Sequence, residues 1–340
     1  MAVYVVRRLL IAVSVVVAVS FGAFVGFGLS FDPTYPLVAG GGHAQTRALV
    51  QAYYHLNDPI VERYWRWLVG FFHHGFGRTV SLDVIGPPPR VRTPGDPIGP
   101  RLWHAAGITA QLLAASLVLV VAGSALVGTI AARRRRFRVD VSTRAVAYFA
   151  AAVPTFMIGD LLARLLVPNE TLTTGTNGRL TLQTSGGEWF LIGPPSGGVV
   201  GWIRHMTLPV LALTISLVGI YARYIRTALQ TAFTEPFVTV ARAKGLPERR
   251  VIVRHALRTS LVPFTSLLSL EMGGIVGASI AVDAVFNLGG LASTFLTSLT
   301  QGDPFELTAL LVIAAILVCA FTFVGDLVVG LLDPRIASTR

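Results

Sequence analysis

The feature that most constrains this chain is a run of 23 residues, Leu9–Phe31, without one charged side chain. A helix crossing the ~30 Å hydrocarbon core of a bilayer needs about 20 apolar residues. Five further segments approach the same pattern: Gly107–Ala132, Ala145–Val167, Thr207–Ala222, Val262–Phe286 and Leu307–Leu331. The composition agrees. Charged residues make up 13% of the 340, about half the ~25% usual in soluble domains, and mean hydropathy is +0.66. This excludes a disordered chain and exceeds what one soluble interior can hide. Arg7 and Arg8 precede the first run, as in a signal peptide. The run outlasts the roughly 7–15-residue apolar core of such peptides, and no A-x-A site ends it. A retained first helix is therefore expected.

The net charge is +11, which first points to nucleic acid. Its placement points elsewhere. With the N-terminus inside the cell, residues 1–8, 133–144, 223–261 and 332–340 are cytoplasmic and hold 18 basic residues against four acids. The longer opposite segments, 32–106, 168–206 and 287–306, hold nine basic residues. Basic residues concentrate on the cytoplasmic side of membrane proteins, so both termini are expected there. The run Arg133-Arg134-Arg135-Arg136 reads as a topology anchor.

Residues 32–106 form a long extracytoplasmic segment. Asp58-Pro59 is expected to start a helix over Ile60–Phe72, with Asp58 as cap and Pro59 at the first helical position. Tyr64, Trp65, Trp67, Leu68, Phe71 and Phe72 crowd it, as in a packing or interfacial helix. Residues 86–100, rich in proline and glycine, read as an irregular loop. Arg179–Thr184 and Trp189–Ile192 are expected to pair as a hairpin.

Several chemistries are missing from the sequence. There is no GxxxxGK[ST] loop, and the only lysine, Lys244, is followed by Gly245 and Leu246, so no Walker-type ATP site can be built. No metal-ligand spacing, nucleophile elbow or catalytic set is present, and no cofactor is expected in this chain. Cys319 is the one cysteine, which excludes an internal disulfide. The charges within the spans need another account. Asp160 and Arg164 stand four residues apart and can pair on one helical face. Asp283, Asp326 and Arg164 lie near span ends and can reach interfacial water. Glu271 is the deepest acid, suited either to a polar pathway or to a helix–helix hydrogen bond. Gly273-Gly274 and Gly277 beside it allow close helix approach.

The segment 223–261 is long, amphipathic and basic. It reads as a short helix ending at Gly245, a natural residue for the left-handed position after a helix. A second helix starts near Pro247 and runs into the fifth span. Ala241 and Ala243 beside the glycine make a compact knob suited to a groove on a partner.

Within this segment, Ala241-Arg242-Ala243-Lys244-Gly245-Leu246, followed by Val251, His255-Ala256-Leu257-Arg258 and Pro263, resembles the "EAA…G" coupling loop of binding-protein-dependent ABC importer permeases. It looks most like the dipeptide/oligopeptide (and nickel) permease B-type subunits. Other pieces resemble the same family in the same order: Tyr4-Val5-Val6-Arg7-Arg8-Leu9, Leu56-Asn57-Asp58-Pro59 with Tyr64, Trp67 and Gly75-Phe76-Gly77, Phe286-Asn287-Leu288-Gly289-Gly290-Leu291 with Asp303, and Leu332-Asp333-Pro334-Arg335-Ile336. There are departures. Thr239 stands where the loop's namesake glutamate belongs, the usual P-G-D-P is reduced to Asp32-Pro33, and 86–100 looks like an insertion.

The resemblance implies an all-α membrane protein with six transmembrane helices and the type I importer fold. It divides into a cytoplasmic tip and first helix (1–31), an extracytoplasmic segment (32–106) and a five-helix core (107–340) carrying a coupling loop at 231–258. It implies a non-catalytic permease subunit for peptides in a bacterial inner membrane. Its partners would be a second permease, two ATPase subunits or one fused ATPase holding ATP and Mg, and an extracytoplasmic binding protein. The coupling residues it implies are Glu235, Ala241, Arg242, Ala243, Lys244, Gly245, Leu246, Arg249, Arg250 and Arg254. Glu271, Asp160, Arg164 and Asp283 are the candidates for the translocation pathway. A secondary transporter driven by an ion gradient is the alternative, but the inverted repeat and paired broken helices of that class are not visible.

Overall fold

The computed structural model describes residues 2–31, 48, 51–52, 55–73, 76, 83–85, 90–93, 97–133, 152–167, 170–174, 180–184 and 190–332. Helices dominate it. They are α1 (Ala2–Ser30), α2 (Ile60–His73), α3 (Ile98–Arg133), α4 (Thr155–Leu166), α5 (Gly198–Ala232), α6 (Pro236–Ala243), α7 (Glu248–Leu270), α8 (Met272–Phe286), α9 (Leu291–Gln301) and α10 (Pro304–Leu332). Two short antiparallel ladders accompany them, β1 (Asp83–Ile85) with β2 (Arg90–Thr93) and β3 (Glu170–Thr174) with β4 (Leu180–Thr184).

Four of these helices are long and apolar enough to cross a membrane: Val6–Ser30, Ile98–Arg133, Gly198–Ala232 and Pro304–Leu331. A fifth candidate is broken. α7 and α8 together qualify, but they meet at a bend of 62° around Glu271. The expected unbroken span over Val262–Phe286 is thus two helices, because Glu271 leaves helical geometry at φ −84°, ψ 1°. The expected fourth span, Thr207–Ala222, lies inside the much longer α5. Of the expected third span, residues 145–151 lie outside the described residues, and α4 supplies the end.

Two extramembrane expectations need correction. The strand Leu180–Thr184 forms as predicted, but its partner is Glu170–Thr174 rather than Trp189–Ile192. The backbone register sets Leu172 opposite Leu182 and Thr173 opposite Thr181. Residues 86–100 are not wholly irregular either. The alternating, β-branched Arg90-Val91-Arg92-Thr93 makes β2, and α3 begins at Ile98, with Pro100 tolerated in its first turn. The apolar run from Gly107 marks only where lipid-compatible sequence begins, not where the helix begins.

The chain divides into two compact units. One comprises Met1–Val6, Thr109–Leu288 and Val318–Arg340. In it α4 packs on α5 and α8, and α7 packs on α5. The contact is tight where glycine permits it. A Cβ at Gly128 of α3 would stand 2.8 Å from the Ala222 carbonyl oxygen and 2.9 Å from Ile225 Cβ of α5. Some buried hydroxyls close onto their own helices, Ser216 to the Ala212 carbonyl and Ser260 to the Ala256 carbonyl, whereas those of Ser116 and Ser124 have no partner among the described residues. Ser216 and Ser260 thus need no water at membrane depth.

The other unit comprises Arg7–Ile108 and Gly289–Leu317. Its core joins Ile98, Leu102 and Ala105 of α3 to Leu291 of α9 and Ala309, Leu310 and Ile313 of α10. Asp303 caps α10: one carboxylate oxygen accepts from the amides of Phe305 and Glu306 at 3.0 and 3.1 Å. Pro304 follows at the first helical position, where its missing N–H is not needed. Asp58 behaves differently from expectation. Ahead of α2 its carboxylate pairs with the guanidinium of Arg66, two turns into the helix. Arg66 also donates to Glu62 at 2.7 Å, so one arginine joins both acids.

Candidate functional site

The basic segment folds as a helix, a glycine turn and a second helix. Pro236 opens α6, preset at the φ a first helical turn needs, with Glu235 before it in extended conformation. At the far end Gly245 adopts φ +74°. Its amide donates to the Arg242 carbonyl at 2.9 Å, and the Leu246 amide donates to the Ala241 carbonyl at 3.4 Å. This pair of bonds is the Schellman arrangement, in which a left-handed residue ends a helix and satisfies its last carbonyls. Pro247 then sets the chain for α7, whose first turn begins at Glu248.

Burial sorts the residues of the loop. Val238 and Ala241 are buried on one side of α6 and belong to the same apolar cluster as Leu217, Tyr221 and Ile225 of α5 and Phe264 of α7. Leu246 packs against that cluster. Arg242, Ala243, Lys244, Gly245, Arg249, Arg250 and Arg254 are exposed. The predicted knob therefore has two parts. Ala241 is its root, and Ala243, Lys244 and Gly245 are its tip. Because the root shares the spanning helices' core, displacement of the tip is resisted by packing rather than absorbed by a free loop.

Two features of this site escaped the sequence reading. Arg242 bridges the turn to Glu248 and lies over the Phe233 ring at 5.7 Å. The hydrogen bond from Arg242 is the main reason the Glu248 carboxyl is held below the usual carboxylate range, with Arg133 also contributing. The same bond raises Arg242. The signal was present as opposite charges flanking a Gly-Leu-Pro turn. The second feature is a π-helical stretch, Val251–Ala256, between the turn and the rest of α7. Such widened turns are frequent at functional sites, and no residue pattern announces this one.

The intramembrane candidates do not form one cluster. Arg164 donates to Asp160 at 2.8 Å within α4, the expected local pair. Asp283 is buried at 1% exposure near the end of α8, not in contact with interfacial water as expected from its position. Its carbonyl takes the amide of Asn287, which ends the helix at φ +48°, a conformation asparagine tolerates. Glu271 is exposed at the α7–α8 bend. Gly273 and Gly277 have no described residue within 4 Å of a built Cβ, and Gly274 has only Glu271 Oε2 at 3.8 Å. The close approach expected there occurs instead at Gly128. Glu271, Gly274 and Gly277, at three-residue intervals, leave one open strip beside the bend.

Among the described residues no group of three or more His, Cys, Asp and Glu side chains is arranged to hold a metal ion.

Known proteins place this geometry. The chain is 26% identical to the dipeptide transport system permease protein DppB of Bacillus subtilis, across 84% of this chain and 82% of that protein. It is 26% identical to the oligopeptide transport system permease protein AppB of Bacillus subtilis, across 99% of both. With the oligopeptide transport system permease protein OppB of Salmonella typhimurium it shares 28%, across 85% of this chain and 84% of that one. Residues 124–338 match the family described as binding-protein-dependent transport system inner membrane component. That match takes in the glycine turn, the buried root and the exposed basic tip, and the chain belongs to this family.

Proposed function

We propose that this chain is the permease subunit of an ATP-driven importer of peptides, forming half of the pathway with a second permease. The observation that carries the reading is the α6–Gly245–α7 element, an exposed basic tip on a root embedded in the spanning core. Such an element converts the motion of a docked partner into motion of the spans. The partners are two ATPase subunits, which bind ATP and Mg, and an extracytoplasmic binding protein that selects the peptide. The sequence has no phosphate-binding loop of its own, so hydrolysis falls to those partners.

The tip meets the ATPases through Ala243, Lys244, Gly245, Arg249, Arg250 and Arg254, with Glu235 at the entry to α6. Charges at such a rim set orientation and association rate more than affinity. The chain sits in the bacterial inner membrane with both termini cytoplasmic, as the arginine distribution supports. Residues 32–106 then face the binding protein's compartment. The open strip of Glu271, Gly274 and Gly277 faces the pathway or the second permease; the Asp160–Arg164 pair is a separate candidate for the pathway wall, and buried Asp283 acts within the helix packing instead.

The test is co-purification in mild detergent. ATPase subunits retained on the tagged chain, with ATPase activity stimulated by the loaded binding protein after reconstitution, are expected. Peptide uptake that follows an imposed ion gradient without any bound ATPase would instead establish a secondary transporter. Glu271→Gln should slow peptide uptake without reducing ATPase retention, and an unchanged uptake rate would remove Glu271 from the pathway.

A further inference from the structure

α2 carries two apolar faces where one would serve to pack it. Tyr64, Trp67 and Phe71 turn toward the rest of their unit. The Tyr64 and Phe24 rings meet edge-on at 5.6 Å, and Trp67 lies 5.8 Å from the Phe24 ring. The Tyr64 hydroxyl is 2.7 Å from the Ser20 hydroxyl in a buried contact. A second set, Val61, Trp65, Val69 and Phe72, is exposed, with Trp65 at 63% and Phe72 at 76%. At about 100° per residue these four occupy a sector of roughly 80° beside the packed one. Glu62 and Arg66 follow in the next sector, joined to each other and to Asp58. The helix thus has three faces, for protein, for something apolar and for water.

The contacts with α1 say what the apolar partner is. Val6–Ser30 is a candidate span whose most apolar window is only 11% buried, so most of its apolar surface lies open on this chain, as a lipid-facing helix requires. α2 does not sit beyond the end of that span. Tyr64 reaches Ser20, which at ~1.5 Å per residue lies about 15 Å below Ser30 along α1. Phe24, touched by both Tyr64 and Trp67, lies about 9 Å below it. Ile60, where α2 starts, comes within 3.8 Å of a Cβ at Gly28. Only the tip of the long Tyr64 side chain reaches Ser20, while the contacts of Ile60 and Trp67 hold α2 about 3–9 Å inside the end of α1, at the bilayer boundary, where its outward apolar face continues the exposed surface of α1.

We infer that α2 is a membrane-embedded interfacial helix whose Val61–Trp65–Val69–Phe72 face binds the acyl and headgroup boundary of the leaflet where α1 ends. Its polar face stays in water. Helices of this kind bury an apolar face about 5–10 Å into that boundary. The Arg66–Asp58–Glu62 cluster marks the waterline, and indole rings favour this level. Under the orientation proposed above the leaflet is the outer one. The lipid contact itself depends only on the depth of α2 along α1.

The test uses the full chain with its partner subunits in phospholipid vesicles. With Cys319→Ala removing the one native thiol, spin labels are placed at Trp65→Cys, Phe72→Cys and Glu62→Cys. Labels at 65 and 72 should collide several-fold more with oxygen than with a water-soluble nickel chelate, and the label at 62 should show the reverse. Nickel-dominated collisions at 65 and 72 would overturn the inference in favour of an exposed helix. Protection from both reagents would overturn it in favour of a protein partner. If labelling disturbs assembly, Trp65→Phe provides a second reading. The emission lost with that substitution should be quenched by bromine-labelled lipid, and unquenched emission rejects the lipid contact. A chelate added only outside sealed vesicles reports the leaflet. An inner-leaflet result would refute the proposed orientation and leave the lipid contact standing.

Discussion

Arg242 and Glu248 are joined across the glycine turn by two hydrogen bonds, 2.7 Å from Nη2 to Oε1 and 3.2 Å from Nε to Oε2. The pair ties the last turn of α6 to the first turn of α7. It also withdraws Arg242 from the free cations of the tip, leaving Lys244, Arg249 and Arg250 to meet a partner. Both groups are nearly half exposed, and exposed pairs contribute at most about 1 kcal/mol. Its role is therefore geometric. Arg242→Ala and Glu248→Ala should each reduce stimulated ATPase activity, and the double substitution should be no worse than either single one. Additive losses would mean that the two residues act separately.

The same pair has a pH signature. A carboxyl held below its unfolded value stabilises the folded loop above the unfolded value. That contribution disappears as pH falls through the folded value. Arg242 remains charged throughout. Coupling should thus be insensitive to pH from neutral down to the carboxylate range and weaken below it. Glu248→Gln should lack that acid-side transition when ATPase stimulation is measured against pH.

Gly245 at φ +74° is the position in the loop where a side chain is strained by backbone conformation. A non-glycine residue there loses roughly 1–2 kcal/mol, more if β-branched. Gly245→Val should insert and assemble but lose stimulated ATP hydrolysis. Gly245→Asn should keep most of it, since asparagine tolerates the left-handed region. Equal activity of the two variants would show that the turn is not under this constraint.

Glu306 is fully buried at 0% exposure, and its Oε1 accepts from Arg101 Nε at 2.9 Å. Arg101 is half-exposed, so its removal strands a buried carboxylate at a cost below the roughly 3–5 kcal/mol of a fully buried pair. Arg101→Ala should lower the thermal midpoint in detergent markedly. Adding Glu306→Gln should restore part of the loss. A double variant less stable than Arg101→Ala would contradict this account.

Gly128 faces the backbone of α5 at a distance that leaves no room for a side chain. Gly128→Leu should cost about 1–3 kcal/mol or more by overpacking, with lowered yield of folded protein. Gly277→Leu, on the open strip, should leave the thermal midpoint of the isolated chain unchanged. A similar loss at both positions would mean that the strip is covered within the chain.

What was legible from sequence follows from local physics. A run without charge over Leu9–Phe31 has no stable place except lipid or a core. Pro236 and Gly245 carry conformational preferences that set the ends of α6 wherever it lies. The motif Ala241–Leu246 identified the family because those residues serve one local turn. Other features depend on which residues distant segments bring together. The break at Glu271 divides an apolar run that composition alone presents as continuous. Asp283 is buried by neighbours, although its position near a span end allowed solvent. β4 pairs with Glu170–Thr174, a partner that local propensity does not single out. The periodicity of α2 shows its aromatic crowding, but three faces become distinct only once Tyr64 meets Ser20 and Trp67 meets Phe24. Four of the expected spans, the turn at Gly245 and the family were readable from residue order alone, because these rest on hydrophobicity and backbone preference over a few neighbouring residues. The burial of Ala241, the Arg242–Glu248 bridge and the level of α2 along α1 emerge in the folded chain alone. Each of these is a distance between side chains that no local preference sets.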